Sequence, residues 1–505
     1  NVTPPGLPEW ALIATIEASP HSPGAAYVAA TRYKIDDNAA YLYKTEDYGA
    51  TWRALAGGFP AGEISRVIRE DPVRRGLLYA GTETGIVVSW DDGATWHRLA
   101  GNLPVSPVYD LAVKRDDLVA ATHGRSFWVL DDVTPLRAVT DPAAEPVQLV
   151  PPRPTVRPWQ NWSVDLFRGP GKTHKNYMMA LGTGLTFYED RTPEGERVRT
   201  FLDAGENPPV GALVYYVLPA TPAGPVSLAI LDARGAEIRT FTTRPPEPPP
   251  SADAPTGTPP GAEMATAPEG PPKDQRHITA KPGLNRFVWD LRYAGAEKVP
   301  GDVSTERAIT GPLAPPGAYQ VRLTVGDRSW TQPLEIRKDP RVPATQADLD
   351  AQFGLWRRIR DTLSETHAGI NRLRRIRRQV TEWARRVRES APPGGEPPAS
   401  HRAITGAADA LATRLAAIET ELIQTGARNS MDALRHPARL NLRLASLMSV
   451  LASADAAPPR QAVLVYEELA GRARRELDRL QAVVESDVAA FDRLVREAGL
   501  PTVSG

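Results

Sequence analysis

Two octapeptides fix the architecture at the front of this 505-residue chain: TEDYGATW at 45–52 and SWDDGATW at 89–96. They match in register, and their tryptophans stand about 44 positions apart, the period of a propeller blade. Around each, short alternating apolar runs punctuated by Gly and Asp predict four strands. In the second copy the strands fall over 63–70, 77–81, 85–89 and 95–99, and the first copy runs the same way over 10–55. A third copy starts at Val108, gives runs over 110–114, 118–124 and 125–130, and ends in Asp131 and Asp132 without the octapeptide.

Within each octapeptide, Asp47 and Asp91 are placed to accept backbone N–H bonds inside a turn between strands three and four. Gly49 and Gly93 are expected at positive φ, and Trp52 and Trp96 are expected to pack between neighbouring repeats. These aspartates read as structural staples rather than catalytic acids. The loop between strands two and three then belongs to the opposite face. Alignment of the three copies puts Arg32, Tyr33, Glu83, His123 and Arg125 in that loop. Titratable side chains converging there are the candidate ligand-binding residues. Ordinary solvated loop polarity is the competing reading.

The pattern Ser/Thr-x-Asp-x-Gly-x-Thr-Trp resembles the Asp-box, or BNR repeat, of sialidases, sortilin-type receptors and other glycosidase propellers. Together with YKTEDYGATW at 43–52, THGRSFWVLDD at 122–132 and VREAGLP at 495–501, it makes the chain similar to the C-terminal half of bacterial Asp-box, sortilin-like or glycosyl-hydrolase-like proteins. That resemblance implies export to the periplasm or exterior. It does not assign chemistry, because propellers host many functions. Propellers close with about four to eight blades, so three copies over 1–135 form part of a ring. NVTPPGLP at 1–8 looks like the connection GNLPVSP at 101–107, and Asn1 is followed by no charged and then apolar leader. The expectation is that the remaining blades lie on an upstream segment of the same protein, in the same or a separate chain.

Residues 136–207 read as a poorly patterned connector. The stretch GPGKTH at 169–174 lacks the spacing and preceding strand of a phosphate-binding loop and is expected as a plain loop. From 208 to 340, strands at 212–218, 226–231, 237–241, 283–291, 319–325 and 329–336 predict an Ig- or fibronectin-like β-sandwich, with a hairpin turning at Gly235. A proline-rich insert at 244–275 cannot bury a core and is expected to be extended and disordered. From Thr345 the period becomes 3.6, and four helices to about 500 predict an antiparallel bundle. Thr345 is the expected N-cap of the first, with Asp348 and Asp350 at its positive end. The fold class is therefore multidomain: partial propeller, sandwich, helical bundle.

Lys+Arg and Asp+Glu each number 60, so the formal net charge is zero and a globally basic nucleic-acid binder is disfavoured. The first helix is Arg-rich (Arg357, Arg358, Arg360, Arg372, Arg374, Arg375, Arg377, Arg378), but intramolecular pairing accounts for such a face without nucleic acid. There is no cysteine, hence no thiol nucleophile or thiolate metal site. The eight histidines show no ligand spacing, no cofactor motif appears, and no apolar run is long enough for a transmembrane helix. Adjacent carboxylates such as Asp36 and Asp37 point to opposite faces of a strand and make poor acid–base pairs. The expected function is an exported propeller scaffold binding a peptide, glycan or envelope partner on the face opposite the boxes. The alternative is a glycoside hydrolase, sialidase-like or other, whose site is shared with the missing blades. It requires two carboxylates about 5–10 Å apart or a Tyr/Glu pair beside arginines.

Overall fold

The structure, a computed structural model, describes residues 1–99, 101–138, 146–157, 164–165, 171–180, 183–191, 197–202, 208–243, 277–305, 309–390, 397–427, 432 and 435–499. It is a β-rich, multidomain protein with a helical C-terminal part. Two compact units emerge: Asn1–Arg153 with Val214–Thr221 and Lys281–Asn285, and Pro154–Leu213 with Pro222–Ala280 and Arg286–Gly505.

The first unit begins with three antiparallel meanders. The first comprises β1 (Leu12–Ala18), β2 (Ala26–Arg32), β3 (Asp37–Thr45) and β4 (Arg53–Ala54). The second comprises β5 (Val67–Glu70), β6 (Leu78–Gly81), β7 (Ile86–Ser89) and β8 (His97–Arg98). The third has only β9 (Val108–Lys114), β10 (Asp117–Thr122) and β11 (Phe127–Asp131), and a short helix α1 (Thr134–Ala138) follows. The period-two alternation of side chains explains how they stack. On β6, Leu78 and Ala80 join Tyr27, Ala29, Leu42, Leu55, Ile68, Val87 and Trp96 in one apolar cluster shared with the first meander. Tyr79, with Leu77 just ahead of the strand, joins Val67, Val88, Val108, Leu111, Leu118 and Ala120 in a second cluster shared with the third. The middle sheet is thus buried on both faces. The outer sheets are covered less completely: Ile16 is 71% exposed on β1 and Phe127 is 74% exposed on β11, although Val28, Ala30 and Tyr43 of the first sheet are buried on its far face.

Further strands are β12 (Gln148–Leu149), β13 (Thr155–Arg157), β14 (Val164–Asp165), β15 (Gly171–Ala180), β16 (Thr183–Arg191) and β17 (Arg197–Phe201). Then follow β18 (Ala212–Leu218), β19 (Val226–Asp232), β20 (Glu237–Thr243), β21 (His277–Ile278), β22 (Gly283–Trp289), β23 (Gly317–Val325) and β24 (Arg328–Lys338). They form a six-stranded sheet in the order β13-β24-β23-β19-β20-β21 and a three-stranded one in the order β12-β18-β22. Aromatic pairs Phe241–Phe287 (4.6 Å between centroids) and Trp289–Tyr319 (5.8 Å) join side chains of the two. Gly235 turns the β19–β20 hairpin at φ 81°, the left-handed conformation expected of it. The stretch 136–207, read from sequence as a connector, carries a four-stranded antiparallel sheet in the order β14-β15-β16-β17. Within it β15 begins at Gly171, so 171–174 are strand rather than loop. The proline-rich insert at 244–275 lies outside the described residues.

The helices are α2 (Gln346–Glu389), α3 (Ala399–Leu422), α4 (Leu440–Ala452), α5 (Arg460–Val483) and α6 (Ala489–Glu497), the last two joined by a π turn at Val484–Val488. Thr345 caps α2 in a reciprocal capping box with Asp348. Side-chain pairings set the directions. Arg388 meets Asp409, Arg374 meets Glu419 and Gln352 meets the carbonyl of Leu451, so α3 and α4 both run against α2. Thr362 meets Tyr466, Glu365 meets Arg474 and Arg372 meets Gln481, so α5 runs with α2. The four expected helices therefore make three rods: α2, then α3 continued by α4, then α5 continued by α6. The 44-residue length of α2 requires this, because neither α3 nor α4 alone spans it.

Candidate functional site

The two octapeptides form nearly identical turns. Thr45 Oγ1 accepts the Gly49 N–H at 2.8 Å, and Asp47 accepts the Thr51 N–H at 2.8 Å and its hydroxyl at 2.6 Å. Ser89, Asp91, Gly93 and Thr95 repeat the pattern at 2.8, 2.9 and 2.6 Å. Gly49 and Gly93 sit at φ 84° and 82°. The Thr51 hydrogen bonds hold the Asp47 carboxyl below its ordinary range. Burial pushes Asp91 up, and the Thr95 hydrogen bonds more than offset it. Trp96 is buried against Phe59, and its indole donates to the Leu55 carbonyl at 2.9 Å. Trp52 is only half-buried and donates to the Val2 carbonyl at 2.9 Å. Gly93 lies under the Leu55 side chain and Gly49 under that of Val2. Val2 thus stands to the first box as Leu55, just past β4, stands to the second. The residue after each aspartate diverges. Asp92 reaches into the first meander, taking hydrogen bonds from the Tyr27 hydroxyl (2.9 Å), Lys44 Nζ (2.7 Å) and Arg53 (2.7 Å). Its counterpart Tyr48 is 77% exposed.

At the other end of the strands, the loops β2–β3, β6–β7 and β10–β11 carry the candidate residues. Three of the five are gathered around Arg66, which immediately precedes β5. Its guanidinium lies over the Tyr33 ring (4.8 Å to the centroid) and over the Tyr109 ring (4.2 Å), and forms an ion pair with Glu83. Tyr109 stacks in turn on His123, 5.0 Å between centroids. The order Tyr33, Arg66, Tyr109, His123 therefore runs across all three meanders. Arg66 is almost buried, whereas Tyr109 and His123 are exposed. Arg32 stays within its own hairpin, donating to Asp37 at 2.6 Å, and the Tyr41 hydroxyl shares that carboxylate at 2.7 Å. The Tyr41 bond, more than Arg32, holds Asp37 below its ordinary range. Arg125 projects from a turn in which its N–H donates to Thr122 Oγ1 and its carbonyl accepts from the Trp128 indole. Its side chain is exposed, with no hydrogen bond or ion pair among the described residues.

Next to this seam, first strands contribute a second polar group. Arg69 on β5 donates to Glu17 on β1 at 2.8 Å, to Asp110 on β9 at 2.7 Å and to the Leu111 carbonyl at 2.8 Å. The two carboxylates stand one guanidinium apart. Burial raises the Glu17 carboxyl above its ordinary range despite Arg69. Glu63 is buried and accepts from Thr84 Oγ1 and, at 2.6 Å, from Arg98. Burial pushes it up, but those hydrogen bonds prevail and hold it low. Among the described residues no group of three or more His, Asp or Glu side chains is placed to hold a metal, and no helix is long and apolar enough to cross a membrane.

Arg66, Tyr109, Arg69 and Glu17 escape a loop-by-loop alignment because they sit on or beside first strands. The available signal was positional: Arg66 and Tyr109 each flank the valine, Val67 or Val108, that anchors a first strand in the apolar stack.

No family model matches the chain, and no curated protein matches it. Among solved structures the chain is similar to an ancestral GH74 enzyme at 10% identity and TM-score 0.19, covering 46% of this chain and 38% of that one. It is also similar to the GH74 enzyme of Niastella koreensis at 10% identity and TM-score 0.20, covering 64% and 46%. The chain spans less than half the length of either, and likenesses of this size carry no weight for fold or activity.

Proposed function

We propose that the three meanders are blades of a β-propeller completed by a further segment of the same protein, and that the loop end bearing Tyr33, Glu83 and His123 is the recognition face of an exported binding protein. The strands of 208–340 belong in this reading to an Ig-like sandwich acting as spacer, with the helical part behind it. Val2 in the place of Leu55, and the exposed apolar side chains of Ile16 and Phe127 on the first and third sheets, support further blades on either side. Export follows from the Asp-box resemblance. The observation that carries the recognition face is the seam through Arg66: side chains from three loops, distant in sequence, are fixed in one place. Fixed aromatic and charged groups at the rim suit a glycan, or a peptide of an envelope partner.

The exposed rim, not the buried seam, supplies the test. The full chain is titrated against immobilised oligosaccharide and envelope-peptide sets. Replacing His123 and Arg125 together by Ala should weaken capture at least tenfold and leave thermal stability unchanged, since neither side chain is buried. Equal capture by the variant would remove this face from the reading.

One observation favours a glycoside hydrolase as second reading. Glu17, its carboxyl raised by burial, and Asp110 both bond Arg69, which puts two carboxylates on one guanidinium. Reducing-end release from the same oligosaccharides, abolished in both Glu17→Gln and Asp110→Asn, would establish it.

A further inference from the structure

Between β22 and β23, residues 294–302 lie along the helical bundle as a strap. Arg360 donates to the Ala294 carbonyl at 2.8 Å, Ser364 Oγ accepts the Glu297 N–H at 3.1 Å, and Asn371 donates to the Glu297 carboxylate and the Lys298 carbonyl, each at 3.0 Å. Arg374 reaches the Pro300 carbonyl at 3.2 Å, and Asn441 on α4 reaches Asp302 at 3.1 Å. Ala296, Val299 and Ile309 bury themselves in the apolar core of the bundle. At the centre stands His367, fully buried: Nδ1–H donates to the Glu297 carbonyl at 2.5 Å, and Nε2 has no hydrogen-bond partner among the described residues.

We propose that this strap is an acid-sensitive latch, released from α2 when His367 takes up a proton at Nε2. A neutral imidazole satisfies the site as it stands, with one donor used and one bare lone pair. A second N–H there would be a buried donor with no acceptor, on a cation inside an apolar core. The charged groups that act on it are Asp302 and Glu297 of the strap. Arg360 and Arg374 on α2 are taken up by strap carbonyls and, for Arg374, by Glu419 of α3, and α4 brings the uncharged Asn441. Burial pushes the imidazole below its ordinary range, and the Glu297 carbonyl and the Asp302 and Glu297 carboxylates oppose it without prevailing. The sign follows from linkage. The latched form binds fewer protons than the open form, so latching is fully present above the open-form pKa of about 6.5 and weakens as pH falls below it, levelling off under the latched-form pKa.

Hydrogen exchange of the 293–302 amides in the full chain, expressed as protection factors between pH 7.5 and 5, tests this. Protection should fall by up to about tenfold per pH unit below about pH 6.5, while the amides of β19 and β23 hold theirs. His367→Gln should flatten that dependence. The same slope in the variant, or an imidazole resonance of His367 titrating at or above an ordinary pKa in the unaltered chain, would overturn the latch. The resonance decides the matter even where the variant fails to fold.

Discussion

Asp92 is the sharpest place to separate the turn from the contact between repeats. Asp91 folds its own turn; Asp92 serves the neighbouring meander. Replacing Asp92 by Ala takes one acceptor from the Tyr27 hydroxyl, on a fully buried ring, and leaves it Glu70, at about 1 kcal/mol. It also leaves Lys44, only 5% exposed, with Glu46 at 3.0 Å on its solvent side as its remaining carboxylate. An uncompensated buried charge costs about 3–5 kcal/mol; Glu46 relieves part of that, and Arg53 is half-exposed and adds little. The expected total is about 3–4 kcal/mol, felt between the first two meanders. Exchange protection of the β2, β3, β6 and β7 amides reads it locally, avoiding a two-state assumption that a chain with two compact units does not satisfy. Because most of the loss is the stranded ammonium, adding Lys44→Met should restore about 2 kcal/mol. Tyr48→Ala, at the matching position of the first box, should change protection by less than about 0.5 kcal/mol. A cost under 0.5 kcal/mol for Asp92→Ala, or a double variant less protected than the single one, refutes the clamp.

Two smaller tests address the helical part. Thr345→Ala removes half of the capping box at the start of α2 and should lower its stability by about 1 kcal/mol, read as faster exchange in its first turns with the rest of α2 unchanged. Glu419, 2% exposed on α3, is held by Arg374 at 2.6 Å and Arg377 at 2.5 Å; Glu419→Ala should cost about 3 kcal/mol in exchange protection of the α3 amides, and Arg374→Ala less, because Arg377 remains paired.

What was legible in the sequence is what local chemistry decides. The octapeptides specify their turns because every bond in them lies within four residues. The Thr345 cap and the Gly235 hairpin are legible for the same reason. The sheet over 164–201 was not, because runs such as GKTHKN at 171–176 lack the apolar alternation that marks a half-buried strand. Nor was the collinearity of α3 and α4. A polar, Gly- and Pro-bearing break signals the end of a helix, and says nothing about whether the chain then reverses or carries on. Only long-range pairs such as Gln352 with Leu451 decide that. Of the arginines that mark α2 in the sequence, Arg374 and Arg377 pair with Glu419 on α3 and Arg360 with its neighbour Asp361.

The same distinction bears on the candidate site. Loop alignment brought Tyr33, Glu83 and His123 to one end of the strands, yet what fastens them is an arginine outside those three loops, just ahead of β5. Arg66 gives its faces to two tyrosines and an edge to a carboxylate, and it lies nearly out of water. A guanidinium so occupied has little left to offer a ligand; in the proposed reading Arg66 sets the geometry and the exposed ends of the seam make the contact. Lys cannot replace it, since an ammonium has no planar faces to fill the gap between two rings. Substitution at the rim should therefore move affinity alone, whereas substitution at Arg66 should move affinity and the packing of the three first strands together.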